Sequence, residues 1–218
     1  MKTRFITLLM LMCALGMQAQ KLNWGAEGGY SLSHSTEGDG VRSGFNVGVK
    51  AEYVLSKGWY LDGALKLVSR PTNRIVNSYF YNGPGEEEGW SRSHIRTTPY
   101  YLELPIRIGH KFKVSDGCKL FVAAGPYVGV GLWGNGKWSF KQQEDPGEPV
   151  WGDQGKIDNV YDGYMQRLTV GGSARVGADL GRHLQLSLGY DLQFNSYLKS
   201  YNGVDRHQAF SVNVGWMF

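Results

Sequence analysis

From Leu22 onward the chain follows a two-residue rhythm. Large apolar side chains recur at every second position through eight stretches, with polar, charged or very small residues between them. Side chains alternate across an extended strand, so each stretch predicts a strand with one apolar and one polar face. The first places Leu22, Trp24, Ala26, Tyr30 and Leu32 on one side, and the second Phe45, Val47, Val49, Ala51, Tyr53 and Leu55. The third does so with Trp59, Leu61, Leu65 and Leu67, and the fourth with Tyr100, Leu102, Leu104, Ile106, Ile108 and Phe112. The fifth, "KLFVAAGPYVGVGL", is apolar on both sides, which leaves its faces unassigned. The sixth carries Leu168, Val170, Ala174, Val176 and Leu180, and the seventh Leu184, Leu186, Leu188, Tyr190, Leu192 and Phe194. The eighth carries Phe210, Val212, Val214, Trp216 and Phe218. No helical period of comparable strength follows Leu22.

The connections alternate in length. Those after the second, fourth and sixth stretches are tight ("SKG", "KVSDG" and "GRH"), and the others are long, at roughly 34–44, 71–97, 134–164 and 197–207. In a barrel of antiparallel hairpins the tight turns then gather at one rim and the long loops at the other. Short periplasmic turns and long extracellular loops are the pattern of outer-membrane barrels. The expected fold is all-β: an eight-stranded, antiparallel, up-and-down transmembrane barrel.

The polar face decides which side meets lipid. It carries Lys50, Glu52, Lys66, Glu103, Arg107, Arg175, Asp179 and Asp191, with Glu27, Asp62 and Arg70, interleaved with Gly48, Gly109, Gly171, Gly177 and Gly189. A soluble barrel would turn these charges to water. Glycine, however, is a poor choice on an exposed strand face and suits a crowded lumen. An eight-stranded barrel has an interior just wide enough for side chains to fill. Aromatics also sit near the strand ends, as in the two interfacial belts of a membrane protein. Trp24, Tyr53, Trp59, Phe112, Trp216 and Phe218 lie toward the tight-turn rim; Tyr30, Phe45, Tyr100, Phe194 and Phe210 lie toward the other. The apolar face is therefore expected to meet lipid, and the first eight charges named to form a structural network that plugs the lumen. Buried charges must be paired, so Lys50, Lys66, Arg107 and Arg175 are the candidate partners of Glu52, Glu103, Asp179 and Asp191. Every backbone donor and acceptor in hydrocarbon must also be paired, so "FSVNVGWMF" is expected to close the sheet against the first strand.

The N-terminus reads as an export signal. Lys2 and Arg4 form a positive segment, Phe5 to Gly16 an apolar one, and "MQAQ" a polar one. Cleavage after Ala19 gives a signal at 1–19 and a barrel domain at 20–218, while Ala14-Leu15-Gly16 offers a second site. The apolar run is too short to span a bilayer as a helix. Met12 before Cys13 argues against lipidation, which leaves Cys118 alone and no internal disulfide in the mature chain. Loss of Lys2 and Arg4 takes the net charge from +4 to +2. So balanced a chain is not built for nucleic acid.

At "YLELPIRIGHKF", residues 101–112, and "AAGPYVGVGL", residues 123–132, the sequence resembles the outer-membrane β-barrel domain family common in Bacteroidetes, called PorT-like or porin-family. The resemblance runs from about Lys21 to Phe218. It implies an eight-stranded barrel in the outer membrane of a Gram-negative bacterium, and no activity. The closing Phe218 resembles the signal read by barrel-assembly machinery during biogenesis. Within the first motif Pro105 lacks an N–H, so it should mark a bulge or a gap in the ladder.

Candidate chemistry is sparse. "SHS" at 33–35 and "SRSH" at 91–94 bring serine near histidine in expected outer loops, with no acid spaced to orient the histidine. The acidic runs "GEEEGW" and "GDQGKIDNVYDG" do not match a calcium loop, and the histidines do not cluster as metal ligands would. Neither a metal nor a cofactor is expected. Trp90, Trp138 and Trp151, with Tyr79, Tyr81 and Tyr161, lie in the second and third outer loops. They either bind a glycan or protein at the surface or pack on one another to hold the loops together. The expected function is a non-enzymatic outer-membrane barrel with a plugged polar lumen, structural or acting in surface recognition through 71–97 and 134–164. Its expected partners are outer-membrane lipid and an extracellular glycan or protein ligand. Two other classes stay open: a lipid-modifying outer-membrane enzyme, which needs a serine–histidine pair at the lipid-exposed rim, and a soluble periplasmic small-molecule carrier barrel with an apolar cavity.

Overall fold

The structure, a computed structural model, describes residues 22–36, 38–81, 88–144, 150–199 and 205–218. Its elements are β1 (Leu22–Ser35), β2 (Arg42–Val54), β3 (Trp59–Ser69), β4 (Thr72–Tyr81), β5 (Glu88–Ser115), β6 (Cys118–Glu144), β7 (Val150–Ile157), β8 (Leu168–Leu180), β9 (Leu184–Gln193) and β10 (His207–Met217). They form one antiparallel sheet in the order β4-β5-β3-β2-β1-β10-β9-β8-β6-β7. An added β5–β6 pairing closes β1, β2, β3, β5, β6, β8, β9 and β10 into a ring of eight strands. The expected signal peptide lies outside the described residues.

Two strands stand outside the ring and correct the expected loops. β4 pairs with β5 from Thr72–Thr97 to Tyr81–Glu88, and β7 pairs with β6 from Gly136–Ile157 to Gln142–Val150. β5 and β6, at 28 and 27 residues, are more than twice as long as a membrane crossing needs. They rise past the barrel as the centre of a four-stranded ribbon, so 71–97 and 134–164 are largely sheet. Neither face of this ribbon is uniformly apolar, which is why hydrophobic alternation does not reveal it.

Every ring strand turns its apolar face outward. Leu104, Leu188 and Val214 are 42%, 44% and 53% exposed, in a band that runs around the whole barrel. A soluble carrier needs the reverse. The ambiguous fifth stretch resolves as well: Phe121, Ala123 and Tyr127 point inward, and Leu120, Val122, Val128 and Val130 outward. Glycines make room for the inward aromatics. A Cβ on Gly109 would lie 2.5 Å from the Tyr60 ring, and one on Gly177 2.5 Å from Phe121.

The barrel closes where β1 meets β10, from Gly25–Met217 to Ser35–His207, and the Phe218 N–H donates to the Trp24 carbonyl at 2.8 Å. Aromatic contacts mark both rims. Trp24 and Phe218 lie 5.4 Å apart, and His183 stacks on Trp216 at 5.1 Å, at the tight-turn end. Tyr100 stacks on Trp133 at 5.1 Å and meets Phe45 at 6.1 Å at the other. At the "SKG" turn Lys57 and Gly58 adopt φ of 51° and 86°, the positive pair that a two-residue hairpin favours. Pro105 marks gaps rather than a bulge. The β3–β5 pairing breaks between Gly63–Ile106 and Lys66–Glu103, and the β5–β6 pairing between Pro105–Tyr127 and Ile108–Ala124.

Candidate functional site

The lumen is filled by charge. The cations Lys50, Lys66, Arg70, Arg107, Lys111 and Arg175 meet the acids Glu27, Glu52, Asp62, Glu103, Asp179 and Asp191. Lys50 Nζ is 2.9 Å from Glu52 and 3.4 Å from Asp62, and it donates to Gln185 Oε1 at 2.6 Å. Arg70 forks onto Glu103 at 2.8 and 2.9 Å and reaches Asp191 at 3.3 Å. Arg70 directly follows β3, and Asp191 lies on β9 on the opposite side of the ring, so that contact spans the interior. Arg107 donates to Asp62 and to Ser173, both at 2.8 Å. Lys111 bridges Glu52 and Asp179, and Lys66 sits 3.1 Å from Glu27. Arg175 is 2.9 Å from Glu27 and donates to Ser187 at 2.7 Å.

The eight expected lumen residues all point inward, but their partners differ from the expected set. Only Lys50 and Glu52 of that set pair with each other among the described residues. Glu103 and Asp191 go to Arg70, Asp179 goes to Lys111, and Lys66, Arg107 and Arg175 serve Glu27 and Asp62. Lys111 had a readable signal: it shares the parity of Glu103 and Arg107 on the same strand.

An apolar cluster lies at the outer end of the barrel. Tyr101, Val160, Tyr161, Met165, Tyr197 and Leu198 form a buried cluster, held by a bridge between Met165 and Leu198. The Tyr161 ring meets Tyr101 edge-on at 5.8 Å, and its hydroxyl donates to the Tyr100 carbonyl at 3.2 Å. Tyr161 therefore packs rather than presenting itself at the surface. Burial pushes the phenols of Tyr161, Tyr164 and Tyr197 above their ordinary pKa.

The serine–histidine candidates lie in strands, not loops. Ser33 and Ser35 end β1 and are buried, with Ser33 Oγ donating to the Pro71 carbonyl at 2.6 Å. His34 points to the opposite face, where Nδ1 lies 3.2 Å from the Gly40 carbonyl. Ser91–His94 belong to β5, so Ser93 and His94 likewise diverge. The cross-strand neighbour of His94 is Ser139, and Gln154 follows on β7. The cleft these three line, about 620 Å³, has no carboxylate among its described lining residues. No group of His, Cys, Asp or Glu among the described residues is placed to hold a metal.

On the ribbon, Trp90 sits beside Arg92 and Lys141, whose charged groups lie 5.4 and 6.0 Å from its ring. Trp138 faces the other way, against Gly155, so the structure does not bring these two tryptophans together. The side chains of Trp151, Tyr79 and Tyr81, and most of the "GEEEGW" run, lie outside the described residues.

Among solved structures, the Yersinia pestis attachment invasion locus protein Ail aligns at 15% identity, over 90% of this chain and 98% of its own, with a TM-score of 0.35. Neisserial surface protein A aligns at 14%, over 91% and 97%, with a TM-score of 0.36. The outer membrane enzyme PagL aligns at 13%, over 87% and 97%, with a TM-score of 0.34. No curated protein matches the sequence. Residues 18–199 match the family described as outer membrane protein beta-barrel domain. The closed ring of eight strands is a β-barrel, in keeping with that description, and the chain belongs to the outer membrane protein β-barrel domain family of bacterial outer membranes.

Proposed function

We propose that this protein is a non-enzymatic, sealed, PorT-like barrel of a Gram-negative outer membrane. It has a structural role in the bilayer and a recognition role for the ribbon built from 71–97 and 134–164. The observation that carries this reading is the lumen itself, where six cations and six acids pair across the interior beneath an apolar plug. A diffusion pore needs a continuous water path. Here Arg70 and Asp191 cross the lumen, and Tyr161 and Met165 cover its outer end. Charges so placed are structural, since each is held by its partner rather than aimed at a substrate.

In planar bilayers the reconstituted protein is expected to give no sustained conductance step. A stable, water-filled conductance would refute the sealed lumen. Cells overexpressing the protein are expected to keep their lipid A unchanged; a modified lipid A would support the lipid-modifying enzyme instead. Shortening the ribbon to tight turns, by joining residue 73 to 96 and 137 to 156, is expected to abolish capture of a surface ligand while the barrel still inserts.

A further inference from the structure

The ribbon face that continues the barrel's lipid-facing side carries a row of cations that have no partner among the described residues. Arg96, Lys137 and Lys156 are direct cross-strand neighbours on β5, β6 and β7. All three are exposed, and no hydrogen bond or ion pair joins their charged groups to another described residue. Like charges directly opposite one another across a sheet repel. Three in register are therefore a poor choice for stability alone, and an anion laid across them removes the repulsion. Arg42 lines the same open groove of about 660 Å³, with Thr98 and Asn135 as polar neighbours and Asp158 as the one acid among its described lining residues.

The height of the row identifies the anion. Tyr100 and Trp133 stack in the outer aromatic belt, which sits at headgroup level. Arg96 lies four residues beyond Tyr100 on the same face. At about 3.3 Å per residue that is about 13 Å along the strand, or about 10 Å along the membrane normal at the usual barrel tilt. Directly below, exposed Leu102, Leu132 and Trp133 continue into the lipid-facing band. We propose that this groove binds the phosphorylated headgroup of an outer-leaflet glycolipid, with the phosphate across Arg96, Lys137 and Lys156 and the acyl chains against the apolar band below. Guanidinium and ammonium groups are the side chains suited to phosphate. Only an amphiphile matches both the basic row and the greasy surface beneath it. The proposal goes beyond the recognition role above, because it concerns the face turned to lipid whatever the ribbon's other surface binds.

The test uses the full-length protein in nanodiscs of phosphatidylcholine doped with equal amounts of bisphosphorylated and dephosphorylated lipid A, with co-retained lipid read by native mass spectrometry. The wild type is expected to retain the phosphorylated form selectively, and less so at high salt. At about 1 kcal/mol per surface cation, the triple variant R96Q/K137Q/K156Q is expected to lose about 100-fold in that preference. Heat-dependent gel mobility checks that the variant barrel is folded. K113Q/K119Q, at the tight-turn rim, is expected to behave as wild type. Equal retention of both lipids by the wild type, or unchanged preference in the folded triple variant, overturns the proposal. So does displacement of the lipid by millimolar inorganic phosphate or by a soluble polyanion at matched charge, since either assigns the row to a free anion.

Discussion

Leu188→Arg probes the orientation of every strand at once. Leu188 lies mid-way along β9 on the outward face, opposite Val176 and Val212, both also exposed. An arginine there places a guanidinium between two apolar side chains and lipid, with no acid on that face of the neighbouring pairs. Arginine at the midplane of a barrel's lipid face costs about 2–4 kcal/mol. That is roughly a 30- to 900-fold change in the folding equilibrium. Leu184→Arg, on the same face of the same strand but beside Trp216 at the tight-turn rim, is expected to cost about 0–1 kcal/mol. Ser187→Ala changes the other face. Ser187 Oγ accepts from Arg175, so its loss leaves a buried guanidinium N–H unpaired, for about 1–3 kcal/mol, independent of bilayer thickness. The assay is reversible urea unfolding from phospholipid vesicles, followed by tryptophan fluorescence and repeated in bilayers of two thicknesses. Leu188→Arg costing no more than Leu184→Arg would refute the outward orientation. A Ser187→Ala cost that tracked bilayer thickness would refute the inward one.

Arg107→Met is expected to cost about 3–5 kcal/mol by leaving Asp62 short of its closest cation, and Arg107→Met with Asp62→Leu to cost less than the two single changes combined. Simple additivity in the same unfolding assay would contradict a coupled network. Gly109→Ala is expected to cost about 1–3 kcal/mol through collision with Tyr60, and Tyr60→Leu to recover part of it; no recovery would place the strain elsewhere. Tyr161→Ala removes a ring from the outer apolar cluster, so limited proteolysis within 158–167 should accelerate, and unaltered cleavage would count against the proposed plug. The phenols of Tyr161, Tyr164 and Tyr197 are shifted up, so the stability they contribute is fully present below their unfolded pKa of about 10 and is lost as pH rises through the folded values. Ultraviolet titration should show these three ionising after the exposed tyrosines.

Much of this architecture was legible because lipid imposes a strict rule. Every crossing strand must be apolar on one face along its whole crossing, so period-2 alternation at Leu102–Ile108 or Leu184–Leu192 could be read without a partner in sight. The ribbon obeys no such rule. In "TNRIVNS" and "SRSHIRTT" both faces are mixed, and pairing is set by continuation of β5 and β6 rather than by burial. Side-chain direction was legible to the same depth, because alternation assigns Lys50 and Glu103 to the interior. Partnership was not. Arg70 finds Asp191 across the ring and Lys111 finds Asp179 two strands away, contacts fixed by barrel curvature and stagger rather than by spacing along the chain. The outer apolar cluster escaped for a related reason. Val160, Tyr161 and Met165 follow no period, and only the fold brings them to Tyr101, Tyr197 and Leu198.

The charge balance inside the barrel separates stability from recognition. Six lumen cations face six lumen acids, so the interior adds nothing to the chain's net charge of +4. Any field that reaches an outer partner must come from groups beyond the lumen. Arg96, Lys137 and Lys156 are such groups, in register and facing away from the axis. Exposed like charges in a row add little to folding, whereas paired charges in a narrow lumen are costly to disturb singly. Substitutions should therefore sort by place: lumen changes made one partner at a time move the unfolding midpoint and leave lipid selectivity alone, and changes in the outer row do the opposite. A lumen variant that stayed folded yet lost lipid selectivity would break that separation, because it would require the paired charges of the interior to be felt outside.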